Sequence, residues 1–269
     1  MMSERTGDAA GDKEPTPSLW RKVLAETFGT TMLVTIGCGA LASNGAGLST
    51  LVPAWAFSGV VMAMIMSLGG ISGAHLNPNV SLACVVLQTL TVVEGVAFMA
   101  AQMVGGVLGA AFLWLVLPPS TDPGMPDLAV SCTRLAPRMH GWQGMLVEAV
   151  GTCLLVTVVL VADVHRPSKR DSTLSGPQGV MLALMSIILF AGPLTGAGLN
   201  YARVFGPALI SSGDCWDNHW LWPVGEALGT LLGVAVAVTI VPGLWRRVLP
   251  TKKEPAVGMT NMAYAATQA

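Results

Sequence analysis

Charged residues are confined to a few places along the chain, and the stretches between them are almost continuously apolar. No Lys, Arg, Asp or Glu occurs from Thr27 to Val93, Gly95 to Thr121, Ala149 to Ala162, Ser172 to Ala202 or Ala227 to Trp245. A helix crossing a bilayer needs roughly 20 mostly apolar residues. Six segments qualify: Val23–Ala42, Leu51–Leu68, Val93–Leu117, Met145–Val161, Gln178–Leu194 and Val224–Val241. Two shorter apolar stretches are left over, Asn77 to Gln88 after the second span and Asn200 to Ser211 after the fifth. They read either as ordinary connecting loops or as half-helices that re-enter the membrane. A polar loop would not carry Val80-Ser81-Leu82-Ala83-Cys84-Val85-Val86-Leu87, so re-entry is favoured. Non-helical backbone at that depth is tolerated only where it is buried or lines a watery cavity.

Composition agrees with this class. Of 269 residues 52% are hydrophobic and 11% charged, with a mean hydropathy of +0.62, whereas a soluble domain is about one-quarter charged. A net charge of −1 gives no sign of a nucleic-acid partner. No nucleophile–base pair or metal-ligand cluster points to an enzyme, a cofactor or a metal. The five cysteines, Cys38, Cys84, Cys132, Cys153 and Cys215, mostly fall in apolar stretches. They read as small buried hydrophobes, with no disulfide assigned.

Basic residues set the orientation. Arg21 and Lys22 precede the first span; Arg166, Lys169 and Arg170 follow the fourth; Arg246, Arg247, Lys252 and Lys253 follow the sixth. Six crossings put all three clusters on one side, which the positive-inside rule makes the cytoplasm, together with both termini.

The chain also repeats itself. Glu26-Thr27-Phe28-Gly29-Thr30 recurs as Glu148-Ala149-Val150-Gly151-Thr152, an offset of 122. Gly73-Ala74-His75-Leu76-Asn77 recurs as Gly196-Ala197-Gly198-Leu199-Asn200, an offset of 123. Gln102-x-x-Gly105-x-x-x-Gly109 recurs as Glu226-x-x-Gly229-x-x-x-Gly233, an offset of 124. Three spans per half make this an inverted repeat, whose functional site is expected near the midplane where broken helices meet.

Ser72-Gly73-Ala74-His75-Leu76-Asn77-Pro78, taken with Asn200-Tyr201-Ala202-Arg203-Val204-Phe205-Gly206-Pro207-Ala208, resembles the paired signature of the major intrinsic protein (aquaporin) family. The likeness runs from Glu26 to about Val241. It implies an all-α membrane protein with six transmembrane helices and two re-entrant half-helices. The channel domain would occupy 19–248, in halves of about 19–120 and 141–248. A disordered cytoplasmic tail at 1–18 and another tail at 249–269 would flank it. The resemblance further implies a plasma-membrane homotetramer with one pore per subunit, passing water and small uncharged solutes.

The physics of the site can be stated independently. A half-helix starting at the membrane centre leaves orphan N–H groups and a partial positive charge at its N-terminus. Asn77 and Asn200 are good caps for such ends, and each side-chain NH₂ remains a donor. Two such ends facing one point favour a water that accepts from both, and repel cations and protons. The pore centre is therefore expected at Asn77, Pro78, Asn79, Asn200, Tyr201 and Ala202. Carbonyls of Gly73, Ala74, Gly196, Gly198 and Leu199 would form a ladder of acceptors. His75 lies at the cytoplasmic mouth or stabilises its own loop. Carried over from the family, the outer constriction falls to Phe57, Ile188, Ala197 and Arg203. The arginine is an ionisable group at a depth where such groups are expensive and functional. Glu26 and Glu148 are expected to accept hydrogen bonds from the re-entrant loops, since an unpaired buried charge is costly. Gly105, Gly109, Gly229 and Gly233 fit close helix packing.

The departures bear on selectivity. The family's usual Asn-Pro-Ala triplet is here Asn77-Pro78-Asn79 and Asn200-Tyr201-Ala202. Strict water channels of the family place His where Ile188 stands, which leaves this constriction more apolar. The glycerol-conducting branch usually carries Asp after the arginine, where this chain has Val204, and Ala208 also fits the water branch. Water is the first expectation. The alternatives are a facilitator of glycerol, urea or hydrogen peroxide, or a non-conducting, membrane-organising protein on a channel scaffold.

Overall fold

A computed structural model describes residues 17–44, 49–118, 127–164, 176–241 and 244. Both tails except Pro17 and Ser18, and every basic cluster used for orientation except Arg21 and Lys22, lie outside those residues.

Among the described residues eight α-helices follow in order: α1 (Leu19–Asn44), α2 (Leu51–Ser72), α3 (Pro78–Val86), α4 (Val92–Val116), α5 (Gly141–Val158), α6 (Gly176–Thr195), α7 (Tyr201–Ser211) and α8 (Leu221–Ile240). A π-helical turn, Val159–Val164, extends α5. Six of these described helices are long and apolar enough to cross a bilayer; α3 and α7, of 9 and 11 residues, are the half-helices. The spans show little amphipathic period because their outer faces are as apolar as their inner ones. Leu115, Val93, Met66 and Trp114 are each at least two-thirds exposed. In water that would be an unpartnered apolar patch; against lipid tails it is the expected surface.

α1 begins at Leu19, four residues ahead of the first apolar run. Its polar first turn is retained because Lys22 Nζ reaches Glu94 at 2.8 Å. Glu94 itself closes a capping box with Thr91 at the start of α4.

The two halves pack alike. α1 lies on α4, and α5 on α8, along the repeated glycines. A Cβ on Gly105 would sit 2.5 Å from the Thr27 carbonyl oxygen, and one on Gly233 2.9 Å from that of Cys153. Only backbone-to-backbone approach fits there. Each half-helix also crosses to the other half: α3 touches α8, and α7 packs on α4 where Gly106 and Gly206 meet. The halves are therefore interlocked.

One expectation is corrected here. Cys132 and Cys215 form a disulfide, with Cα atoms 5.5 Å apart. Both stand in the connections before α5 and after α7, outside the spans; Cys38, Cys84 and Cys153 are free and lie within helices. The reading as buried thiols fails for the two cysteines that the topology brings to one face.

Candidate functional site

The two re-entrant loops are built identically, and from strained backbone. Gly73, Ala74 and Leu76 have φ of 91°, 48° and 53°; Gly196, Ala197 and Leu199 have 82°, 49° and 56°. Left-handed backbone at a non-glycine residue costs of order 1–3 kcal/mol, so it persists only where surroundings impose it. Here two buried carboxylates do so. Glu26 accepts from His75 N (2.9 Å) and Leu76 N (2.7 Å), and from Ser72 Oγ and Gln102 Nε2. Glu148 accepts from Gly198 N and Leu199 N (both 2.9 Å) and from Thr195 Oγ1.

Past each loop an asparagine caps a half-helix. Asn77 Oδ1 accepts from Asn79 N at 2.9 Å. Asn200 Oδ1 accepts from Ala202 N (3.1 Å) and Arg203 N (3.4 Å). The amide groups are not wholly free, as the sequence had led us to expect. Asn77 Nδ2 donates to Leu199 O at 2.8 Å, and Asn200 Nδ2 to Leu76 O at 2.7 Å. Each asparagine thus ties one N–H to the opposite loop and keeps a second for another acceptor.

These elements border a cavity of about 130 Å³, large against the roughly 10–15 Å³ that one water-sized space requires. One wall is backbone and amide, from Gly73, Ala74, His75, Leu76 and Asn77 and from Ala197, Gly198, Leu199 and Asn200. The other is aliphatic and aromatic, and it follows the repeat: Phe57, Val61 and Ile65 on α2 answer Val180, Leu184 and Ile188 on α6, each 123 residues on. Toward the strap that joins α4 to α5, Arg203 completes the lining. Its Nη1 donates to Ser131 O (2.9 Å) and its Nη2 to Gly196 O (3.3 Å), while Nε is buried with no acceptor among the described residues. The Phe57 ring centroid lies 5.3 Å from the guanidinium carbon. Phe57, Ile188, Ala197 and Arg203 therefore do converge.

Pro78, Asn79, Tyr201, Ala202 and Gly196 do not line the cavity. The nearest partner of Asn79 lies on α8: its Nδ2 donates to Glu226 Oε2 at 2.7 Å and stands 3.5 Å from Leu199 O. Tyr201 packs sideways on Phe205 and His219, with ring centroids 5.9 and 5.7 Å away. The altered third position of one triplet and second of the other thus change the scaffold, not the wall. His75 lines the cavity, and its Nδ1 stands 3.1 Å from Ser81 Oγ on α3. Sequence reasoning missed Glu226 and Gln102 as partners, although the repeat had already paired them. It also missed Ser131, whose backbone carbonyl leaves no sequence signal.

Comparison with known proteins agrees. The profile described as Major intrinsic protein matches residues 13–237. The chain belongs to the major intrinsic protein family. It is 35% identical over 217 residues to the lens fiber major intrinsic protein of Lithobates pipiens, covering 80% of this chain and 79% of that one. It is 30% identical over 222 residues to aquaporin-4 of Bos taurus, covering 81% of this chain but only 66% of the relative. Among solved structures, the aquaglyceroporin from Plasmodium falciparum superposes with a TM-score of 0.74 at 21% identity, covering 83% of this chain and 97% of that one, which speaks for the fold.

Proposed function

We propose that this chain is a passive transmembrane channel that conducts water, admits small neutral solutes through an apolar constriction, and excludes protons and ions. The observation that carries the reading is the pair of asparagine-capped helix ends meeting across the cavity, each with an amide N–H tied to the opposing loop. A water at that point accepts from the two remaining N–H groups. Both its lone pairs are then engaged, and it cannot take a proton from its neighbour in the file. The positive ends of α3 and α7 and the Arg203 guanidinium add a field that opposes cations. Loop carbonyls accept from the waters above and below, and the aliphatic wall offers them nothing to bind.

A second reading, with glycerol or another neutral solute as the main cargo, is favoured by Ile188, which puts a hydrocarbon wall opposite Arg203. The water reading is favoured by Val204, which is buried and adds no acceptor beside the arginine. Membership of the family and the broad apolar outer surface support a homotetramer with one pore per subunit. Six spans, basic ends and a disulfide on the opposite face support cytoplasmic termini and a plasma-membrane location, because disulfides persist on oxidising faces.

Stopped-flow light scattering on proteoliposomes tests the proposal. Fast osmotic shrinkage with a low activation energy supports a pore, and glycerol uptake lost in Ile188→His places solute selection at the constriction. Folded protein giving no more flux than empty liposomes would sink the channel reading in favour of a membrane-organising role.

A further inference from the structure

The segment from Asp127 to Ala136 runs as a strap over the outer end of the cavity. It is moored at one end by Asp127 N to Ala42 O (3.3 Å) at the end of α1, and at the other by Ala136 N to Leu194 O (2.8 Å) near the end of α6. Between the moorings, three consecutive buried residues each engage the arginine machinery differently. Ser131 O accepts from Arg203 Nη1 at 2.9 Å. Thr133 packs on Gly196, the residue whose carbonyl is the guanidinium's other acceptor; a Cβ there would stand 3.0 Å from Thr133 Cα. Cys132 is bonded to Cys215, which follows the last turn of the half-helix whose first turn carries Arg203.

The disulfide thus closes a ring: from Cys132 through Ser131 to Arg203, along α7, and back to Cys132 through Cys215. The strap's own bonds, Ser131 Oγ to Leu128 O and Arg134 Nη1 to Ala129 O, hold its shape, and besides the disulfide only a long contact from Arg134 Nη2 to Cys215 Sγ, 3.9 Å, reaches the end of α7 from the strap's side chains among the described residues. A guanidinium is a rigid plane of donors, so its selectivity depends on how firmly that plane is fixed.

We propose that the Cys132–Cys215 disulfide is a specificity-positioning element, pinning the strap so that the Ser131 carbonyl fixes Arg203 across the constriction, and that reducing this bond relaxes solute selection. The proposal rests on the channel reading above. A membrane-impermeant phosphine supplies the two electrons: the S–S bond breaks, the sulfurs leave as two thiols after taking protons from water, and the phosphine takes the water oxygen to become its oxide.

Water and glycerol permeabilities are measured on wild-type proteoliposomes before and after the phosphine, with cleavage verified by thiol titration. The same is done for the Cys132→Ser/Cys215→Ser double variant and for Arg203→Ala. The glycerol-to-water ratio should rise by about threefold or more on reduction, a modest part of what a positioned polar group gives in discrimination. The double variant should show the raised ratio without reagent. In Arg203→Ala, reduction should leave the ratio where it was, because no guanidinium remains to be held. If the double variant does not fold, reduction of the folded wild type carries the test alone. A ratio unchanged after verified cleavage, even with a lowered melting point, would overturn the proposal and leave the disulfide a structural staple. Wild-type flux at the level of empty liposomes would instead remove the channel reading, and the proposal with it.

Discussion

In the first half of the molecule the buried carboxylate Glu26 has four donors, among them Gln102 on α4, which also donates to Ser81. In the second half Glu148 has three, and the residue answering Gln102 is a second acid, Glu226 on α8. An amide can donate to its neighbouring glutamate; a carboxylate cannot. The donor Glu226 receives comes instead from across the repeat, from Asn79. The wall differs in the same sense. Arg203 stands 123 residues beyond Val80, and His75 fills the place that Gly198 leaves to Trp222 and Glu226. The symmetric parts build a passage with a common centre, and the asymmetric parts give its two ends different chemistry.

The harshest way to break this comparison is to remove a loop-holding acid. Glu26→Gln and Glu148→Gln each turn an acceptor oxygen into an NH₂ facing a backbone N–H, at a cost of about 1–3 kcal/mol for each buried donor left without an acceptor. Thermal unfolding in detergent should show a large loss for both, greater for Glu26→Gln, which disturbs four donors. Equal stability to wild type would mean that the loops hold their left-handed backbone without the carboxylates.

Next in size is the cross-repeat pair. Asn79→Ala leaves Glu226 Oε2 buried without its side-chain donor, a loss of roughly 1–3 kcal/mol. Glu226→Gln restores the pattern of the first half, since an amide there could donate to Glu148. It should unfold no earlier than wild type, and in the double variant Asn79→Ala/Glu226→Gln it should recover most of the loss. Additive losses would show that the two side chains act separately.

Tyr201→Pro sharpens the comparison most gently. It gives α7 the first-turn proline of α3, worth about 0.4–1 kcal/mol through the unfolded chain, against lost contacts with Phe205 and His219. Stability within about 1 kcal/mol of wild type and unchanged water flux are expected. A large change in flux would mean that Tyr201 shapes the passage after all.

Much of this was legible in the sequence because it follows from local rules. Charge-free runs gave six spans, and two asparagines before short apolar stretches gave capped half-helices. Glu26 and Glu148 stood out as acids in apolar helices. What escaped were features made by distant parts of the chain. Asn79 and Glu226 are 147 residues apart, and nothing local to Asn79 says that its nearest partner lies on α8. Cys132 and Cys215 are separated by 83 residues; the available clue was topological, since both lie in connections on one face while the other cysteines sit in helices, Cys38 and Cys153 in spans and Cys84 in the half-helix α3. Lys22 looked like the flank of a span until Glu94 stood beside it.

The most direct test of the account is osmotic water permeability of the wild type beside Leu184→Trp, a substitution that fills the cavity from its aliphatic wall and leaves loops, caps and arginine untouched. The account predicts rapid water flux with a low activation energy for the wild type, and flux near that of empty liposomes for a folded Leu184→Trp. Equal flux through both would mean that water does not travel through this cavity, and would contradict the account at its centre.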